Sequence, residues 1–144
     1  MTLAVIVGAV LVLMTFGFHY VVLRAMSVLL PSFRLSLEAR VMSVIFAAFG
    51  AHIVEVLIYA VAYFVAVEVL GIGAFGGVAV ESALDYFYFS IVSYTSLGLG
   101  DVFPHGHVRF LTGLEALNGL MLIAWSASFA YLAMGRLWPW RPCD

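Results

Sequence analysis

The chain has 144 residues, 65% of them hydrophobic and only 10% charged, with a mean hydropathy of +1.15, whereas a soluble domain carries roughly 45–50% apolar and about 25% charged residues. That excludes a water-soluble globule, and because each crossing consumes about 20 apolar residues the length accommodates about three or four spans, with no soluble enzyme or regulatory domain expected. The net charge of -2, with every basic residue an arginine, offers no basic patch for nucleic acid, and the single Cys143 allows no intrachain disulfide.

The first apolar run, Leu3 to Leu23, contains His19 as its one group that titrates near neutral pH and ends at Arg24. It lacks the basic leader of a signal peptide and reads as a retained span. Pro31, Ser32, Arg34, Glu38 and Arg40 then form a polar turn with a helix break, so residues 1–40 divide off as an N-terminal transmembrane helix and cytoplasmic loop. Residues 41–144 form the second unit. It opens with a long run, Val41 to Leu70, carrying His52, Glu55 and Glu68, and continues through a flexible connection holding Gly71, Gly73, Gly76 and Gly77. Ser82 to Tyr94 is too short to span. Its Ser82 and Asp85 have capping-box spacing, which predicts a half-helix. A loop from Asp101 to His107 leads to the last span, Phe110 to Leu137, with Gly135, Arg136 and Pro139 as stop signals.

Between half-helix and last span lies Thr95-Ser96-Leu97-Gly98-Leu99-Gly100-Asp101. Alternating glycines let consecutive carbonyls point the same way, because glycine accepts dihedrals that other residues resist. Non-helical backbone at membrane depth is tolerable where it is buried in protein or lines a water-filled path. The segment resembles the selectivity filter of the potassium-channel superfamily, Thr-Val-Gly-Tyr-Gly-Asp. Phe103-Pro104, Arg109 and Gly119 extend the resemblance through an aromatic-proline pair, a following arginine and the inner-helix hinge glycine. The likeness is greatest to small bacterial two-transmembrane pores, here with an additional N-terminal span.

The resemblance implies an all-α membrane fold of three transmembrane helices with a re-entrant pore half-helix and filter loop. It implies a homotetrameric pore selective for potassium, with permeant K+ and no cofactor. The ion-binding residues would be Ser96, Leu97, Gly98, Leu99 and Gly100, supported by Thr95 and Asp101, with Gly119 as hinge. Ser96, Leu97 and Leu99 replace the family's threonine, valine and tyrosine. Leucine at the last position occurs in some two-pore-domain potassium channels, but it removes a hydroxyl that would brace the filter. A weakly selective monovalent cation channel is therefore the alternative.

Other residues invite separate roles. His52 and Glu55 lie one helical turn apart with Tyr59 beyond, and ionisable residues at this depth are costly unless paired or functional. A hydrogen-bonded pair, a proton sensor and half of a metal site are all compatible with the spacing, and a membrane metal or redox protein using His19, His52 and Glu55 is the competing class. No metal beyond permeant potassium is expected. Glu115 and Asn118 suit polar bonds to the pore helix, His105 and His107 an outer solvated loop, and Gly113, Ala116 and Gly119 a small-residue contact face. Trp125, Trp138 and Trp140 read as packing or interfacial anchors. No arginine ladder for voltage sensing and no catalytic constellation is present in the sequence. Five of the six arginines flank the first loop or the C-terminal end, which predicts an inner-membrane protein of bacterial type with the N-terminus outside and the C-terminus, with Cys143, inside.

Overall fold

The computed structural model describes residues 1–137. Trp138, Pro139, Trp140, Arg141 and Cys143, to which the sequence gives anchor, stop and topology roles, lie outside the described residues. Four helices and a two-stranded ribbon follow in the order α1 (Thr2–Leu29), α2 (Leu37–Phe64), β1 (Gly73–Gly77), α3 (Ala83–Tyr94), β2 (Val102–Gly106) and α4 (Val108–Leu137). Helices α1, α2 and α4 are each long and apolar enough to cross a membrane.

The helix boundaries follow local chemistry. Pro31 lies in the 3-10 turn Leu30–Ser32 that ends α1, its ring fitting the first turn of a helix but not its interior. Ser36 then caps α2, its hydroxyl accepting the Ala39 amide at 3.2 Å. The second helix therefore starts at Leu37 rather than at Val41, where the apolar run begins. At its far end a π-helical turn, Val65–Val69, prolongs it. At 1.5 Å per residue the 28 residues of α1 span about 42 Å, more than a hydrocarbon core of about 30 Å, so the helix tilts or projects.

One expectation fails. The glycine-rich connection and the Asp101–His107 loop are not irregular: β1 and β2 pair antiparallel, with Gly73 opposite Gly106 and Phe75 opposite Pro104. A two-stranded ribbon consists of edges alone, which is where proline is accommodated. The ribbon is held down by Phe75, whose ring centroid lies 4.5 Å from Phe89 and 5.9 Å from both Tyr63 and Tyr86.

The apolar core sits where the helices meet, around Leu11, Tyr59, Tyr63, Phe89 and Leu111. Polar bonds tie α1 into this bundle. Asn118 of α4 donates to Thr15 Oγ1 at 2.7 Å, and Ser126 Oγ pairs with His19 Nε2 at 3.0 Å. Gly8 lets the two helices approach, because a Cβ there would lie 2.5 Å from Leu114 Cδ1. The outward faces carry Leu13, Phe46, Phe49, Val61, Leu117 and Met121, the apolar exterior that lipid or a second copy covers in a membrane.

Candidate ion-conduction site

Helix α3 is set by both of its ends. At the start Ser82 and Asp85 complete the capping box read from the sequence, each side chain accepting the other residue's backbone amide, and these bonds hold the Asp85 carboxyl below the usual aspartate range. At the end Thr95 Oγ1 donates to the Ile91 carbonyl at 2.7 Å, while the Ser96 and Leu97 amides donate to the Ser93 and Val92 carbonyls at 2.9 and 3.0 Å. The backbone then alternates: Ser96, Gly98 and Gly100 have φ of +57°, +60° and +80°, and the leucines between them do not. Glycine adopts this region freely. A serine held there costs about 1–3 kcal/mol, a strain that persists where surroundings over-determine the conformation. Leu97 and Leu99 project from the segment and are exposed on the protomer.

The outer end is fastened twice. Asp101 accepts the Tyr88 hydroxyl at 2.7 Å through its carboxylate and the Val78 amide at 2.8 Å through its carbonyl. The first bond keeps the Asp101 carboxyl below its ordinary pKa and pushes the Tyr88 phenol above its own. At Gly77, where φ is +92°, a Cβ would collide with the Asp101 carbonyl, so the ribbon reaches the segment only through glycine. Thus a hydroxyl from the pore helix does brace this segment, but it comes from Tyr88 and binds Asp101 instead of extending from position 99.

The rear of α3 rests on buried polar groups. Ser90 Oγ lies 2.5 Å from Glu115 Oε1 and 2.9 Å from the Val56 carbonyl, and Tyr63 donates to the other Glu115 oxygen. This is the expected Glu115 bond to the pore helix. Asn118 departs from expectation: it bonds Thr15 and Tyr59, the latter at 3.0 Å, and so joins α1 and α2 to α4. Gly119 is buried against α3, where a Cβ would strike the Tyr94 carbonyl. Close approach is a packing reason for glycine at the position read as a hinge. Gly113, its supposed partner in a contact face, has open space.

His52 and Glu55 do pair, Nδ1 to Oε2 at 3.1 Å. Of the further partners the sequence left open, Tyr59 or a neighbouring helix, the structure supplies neighbouring helices. Tyr94 donates to Glu55 Oε2 at 2.5 Å, and His19 of α1 meets Glu55 Oε1 at 2.8 Å. His19, from a helix distant in sequence, joins the pair, with which the sequence reading grouped it only for the competing metal or redox class. Its only signal was its standing as the lone histidine of the first span. Among the described residues, His19, His52 and Glu55 are the group whose donor atoms, all within 4.8 Å of one another, could hold a metal ion.

Residues 51–134 match the family described as ion channel. This is more than half of the chain, and the protein belongs to that family, the two-transmembrane pores of the potassium-channel superfamily, with α1 as an additional N-terminal span outside the matched region. No curated protein and no solved structure matches the chain.

Proposed function

We propose that four copies of this chain form a potassium-selective channel, with ions passing along the carbonyls of Ser96, Leu97, Gly98 and Leu99 and the Ser96 hydroxyl at the inner end. The observation that carries the proposal is the alternation of φ at Ser96, Gly98 and Gly100 directly after a short capped helix. In a strand successive carbonyls oppose one another. Reversing the helical sense at every second residue instead turns them to one side, where a ring of them replaces an ion's hydration shell. The C-terminal end of α3 adds partial negative charge beside that path. Leu97 and Leu99, exposed on one protomer, then pack against a neighbouring copy.

Gly100 and Asp101 terminate the row at the outer mouth, and Thr95 anchors it to α3. The arginine pattern favours an N-terminus outside, a C-terminus in the cytoplasm and a bacterial plasma membrane as the setting. A second reading, a weakly selective monovalent cation channel, is favoured by Leu99, which lacks the family's tyrosine hydroxyl. Whether that matters depends on how far selectivity rests on a rigid cavity rather than on carbonyl field strength.

Ion flux through purified protein in liposomes tests both. Potassium flux exceeding sodium flux is expected, and equal reversal potentials for the two ions select the second reading. Gly98→Ala and Gly100→Ala abolish flux while sparing assembly. Space is not the obstacle, since nothing lies closer than 4.0 Å to a Cβ at either position. The obstacle is a left-handed backbone that costs an alanine about 1–2 kcal/mol and turns the carbonyls away. Undiminished flux in both variants would place the path elsewhere.

A further inference from the structure

We propose that His19, His52 and Glu55 form a binding site for a divalent transition-metal ion of the zinc type, inside the membrane and directly behind the end of the pore helix. The site goes beyond the conduction reading and does not depend on it. Two imidazoles and a carboxylate from α1 and α2 converge, with His19 Nδ1 and His52 Nδ1 at 2.8 and 3.1 Å from the two oxygens of Glu55. In a tetrahedral zinc site, with bonds of about 2.0–2.1 Å, neighbouring donor atoms stand about 3.3 Å apart. The three donors lie within 4.8 Å of one another, so they close by at most about 1.5 Å to reach that spacing. Tyr94, whose hydroxyl lies 2.9 Å from His52 Nδ1, places a fourth donor, an oxygen, beside them.

Three further features suit an ion here. Ser126 Oγ lies 3.0 Å from His19 Nε2, which fixes the ring with Nδ1 turned inward, as outer partners do for metal-bound histidines. His19 and Glu55 are fully buried while the His52 side chain is 18% exposed, so His52 is the one of the three at the edge of the protomer. The donor set itself discriminates: imidazole nitrogens favour zinc, copper, nickel or iron, whereas magnesium and calcium favour oxygen cages and potassium favours rings of carbonyls. Coordination would draw Glu55 Oε2 from the Tyr94 hydroxyl it now accepts at 2.5 Å. Tyr94 is the last residue of α3 and precedes Thr95, so occupancy is felt at the segment proposed to conduct.

The chain has four histidines, and His105 and His107 lie in or beside the exposed end of the ribbon. Full-length protein without a histidine tag, carrying His105→Gln and His107→Gln, is dialysed against zinc and its metal content measured. About one zinc per chain is expected, with an X-ray absorption spectrum showing scattering from two imidazoles, which only His19 and His52 then remain to supply. His19→Gln with His52→Gln should lower bound zinc to background in a correctly assembled oligomer. Absence of stoichiometric zinc in the loop variant, or a spectrum with oxygen ligands alone, overturns the proposal whether or not the paired variant folds. Potassium flux plays no part in this readout, so a failure of metal binding and a failure of the conduction reading are distinguishable.

Discussion

Asp101 and Tyr88 show how a single bond sets a local acid sensitivity. The Tyr88 hydroxyl is the largest cause of the lowered Asp101 pKa. A carboxyl whose folded pKa is depressed contributes stability that is complete above its unfolded value and is lost as pH falls through the folded value. The brace at the outer end of the segment is therefore intact at neutral pH and lost only in acid, below the ordinary aspartate range. Tyr88→Phe removes that cause together with the brace, so Asp101 should titrate at higher pH, closer to the ordinary aspartate value, and flux should already be lowered at neutral pH. The check is a carboxyl-carbon NMR titration of Asp101 beside a flux titration from the outer side. An Asp101 titration unmoved by Tyr88→Phe contradicts the assignment.

The contact of α3 with α4 turns on Gly119, and it separates two readings of small residues in the last helix. A methyl group at Gly119 meets the Tyr94 carbonyl, which is backbone and cannot swing aside, whereas Gly113 has nothing within 4 Å. Gly119→Ala should destabilise the assembled protein by about 1–3 kcal/mol, the range for overpacking, and Gly113→Ala should be near neutral. Thermal unfolding of the two variants in the same detergent decides it, and equal melting temperatures would mean that α3 and α4 are not so closely seated. The same helices show what the sequence could convey. Long apolar runs, Pro31 and the Ser82/Asp85 pair each carry a local cause for a helix or its end, and all were legible. The ribbon was not, because strand propensity is absent from Gly-Ala-Phe-Gly-Gly and its pairing rests on a partner some thirty residues away. The segment from Thr95 to Asp101 is contiguous and was visible as one motif. The His19, Glu55 and Tyr94 cluster comes from three helices, and only packing brings it together.

At the scale of the whole molecule the question is how many chains make one path. One protomer places its left-handed segment and the side chains of Leu97 and Leu99 on an exposed face, and a single row of carbonyls cannot surround an ion. If a fourfold ring is the conducting unit, a defect in one copy disables the entire ring, because every ion must pass all four rows. Co-reconstituting equal amounts of wild type and Gly98→Ala, mixed before assembly, should then leave roughly one-sixteenth of the wild-type flux, as only rings free of the variant conduct. Independent conduction by each chain would leave about one-half, and a two-chain pore about one-quarter. The measurement requires that Gly98→Ala enter mixed oligomers, which co-purification through an affinity tag on the variant alone establishes. Residual flux of one-half with co-purification intact would remove the shared central path, and with it the reason that Leu97 and Leu99 are apolar on a face one chain leaves open.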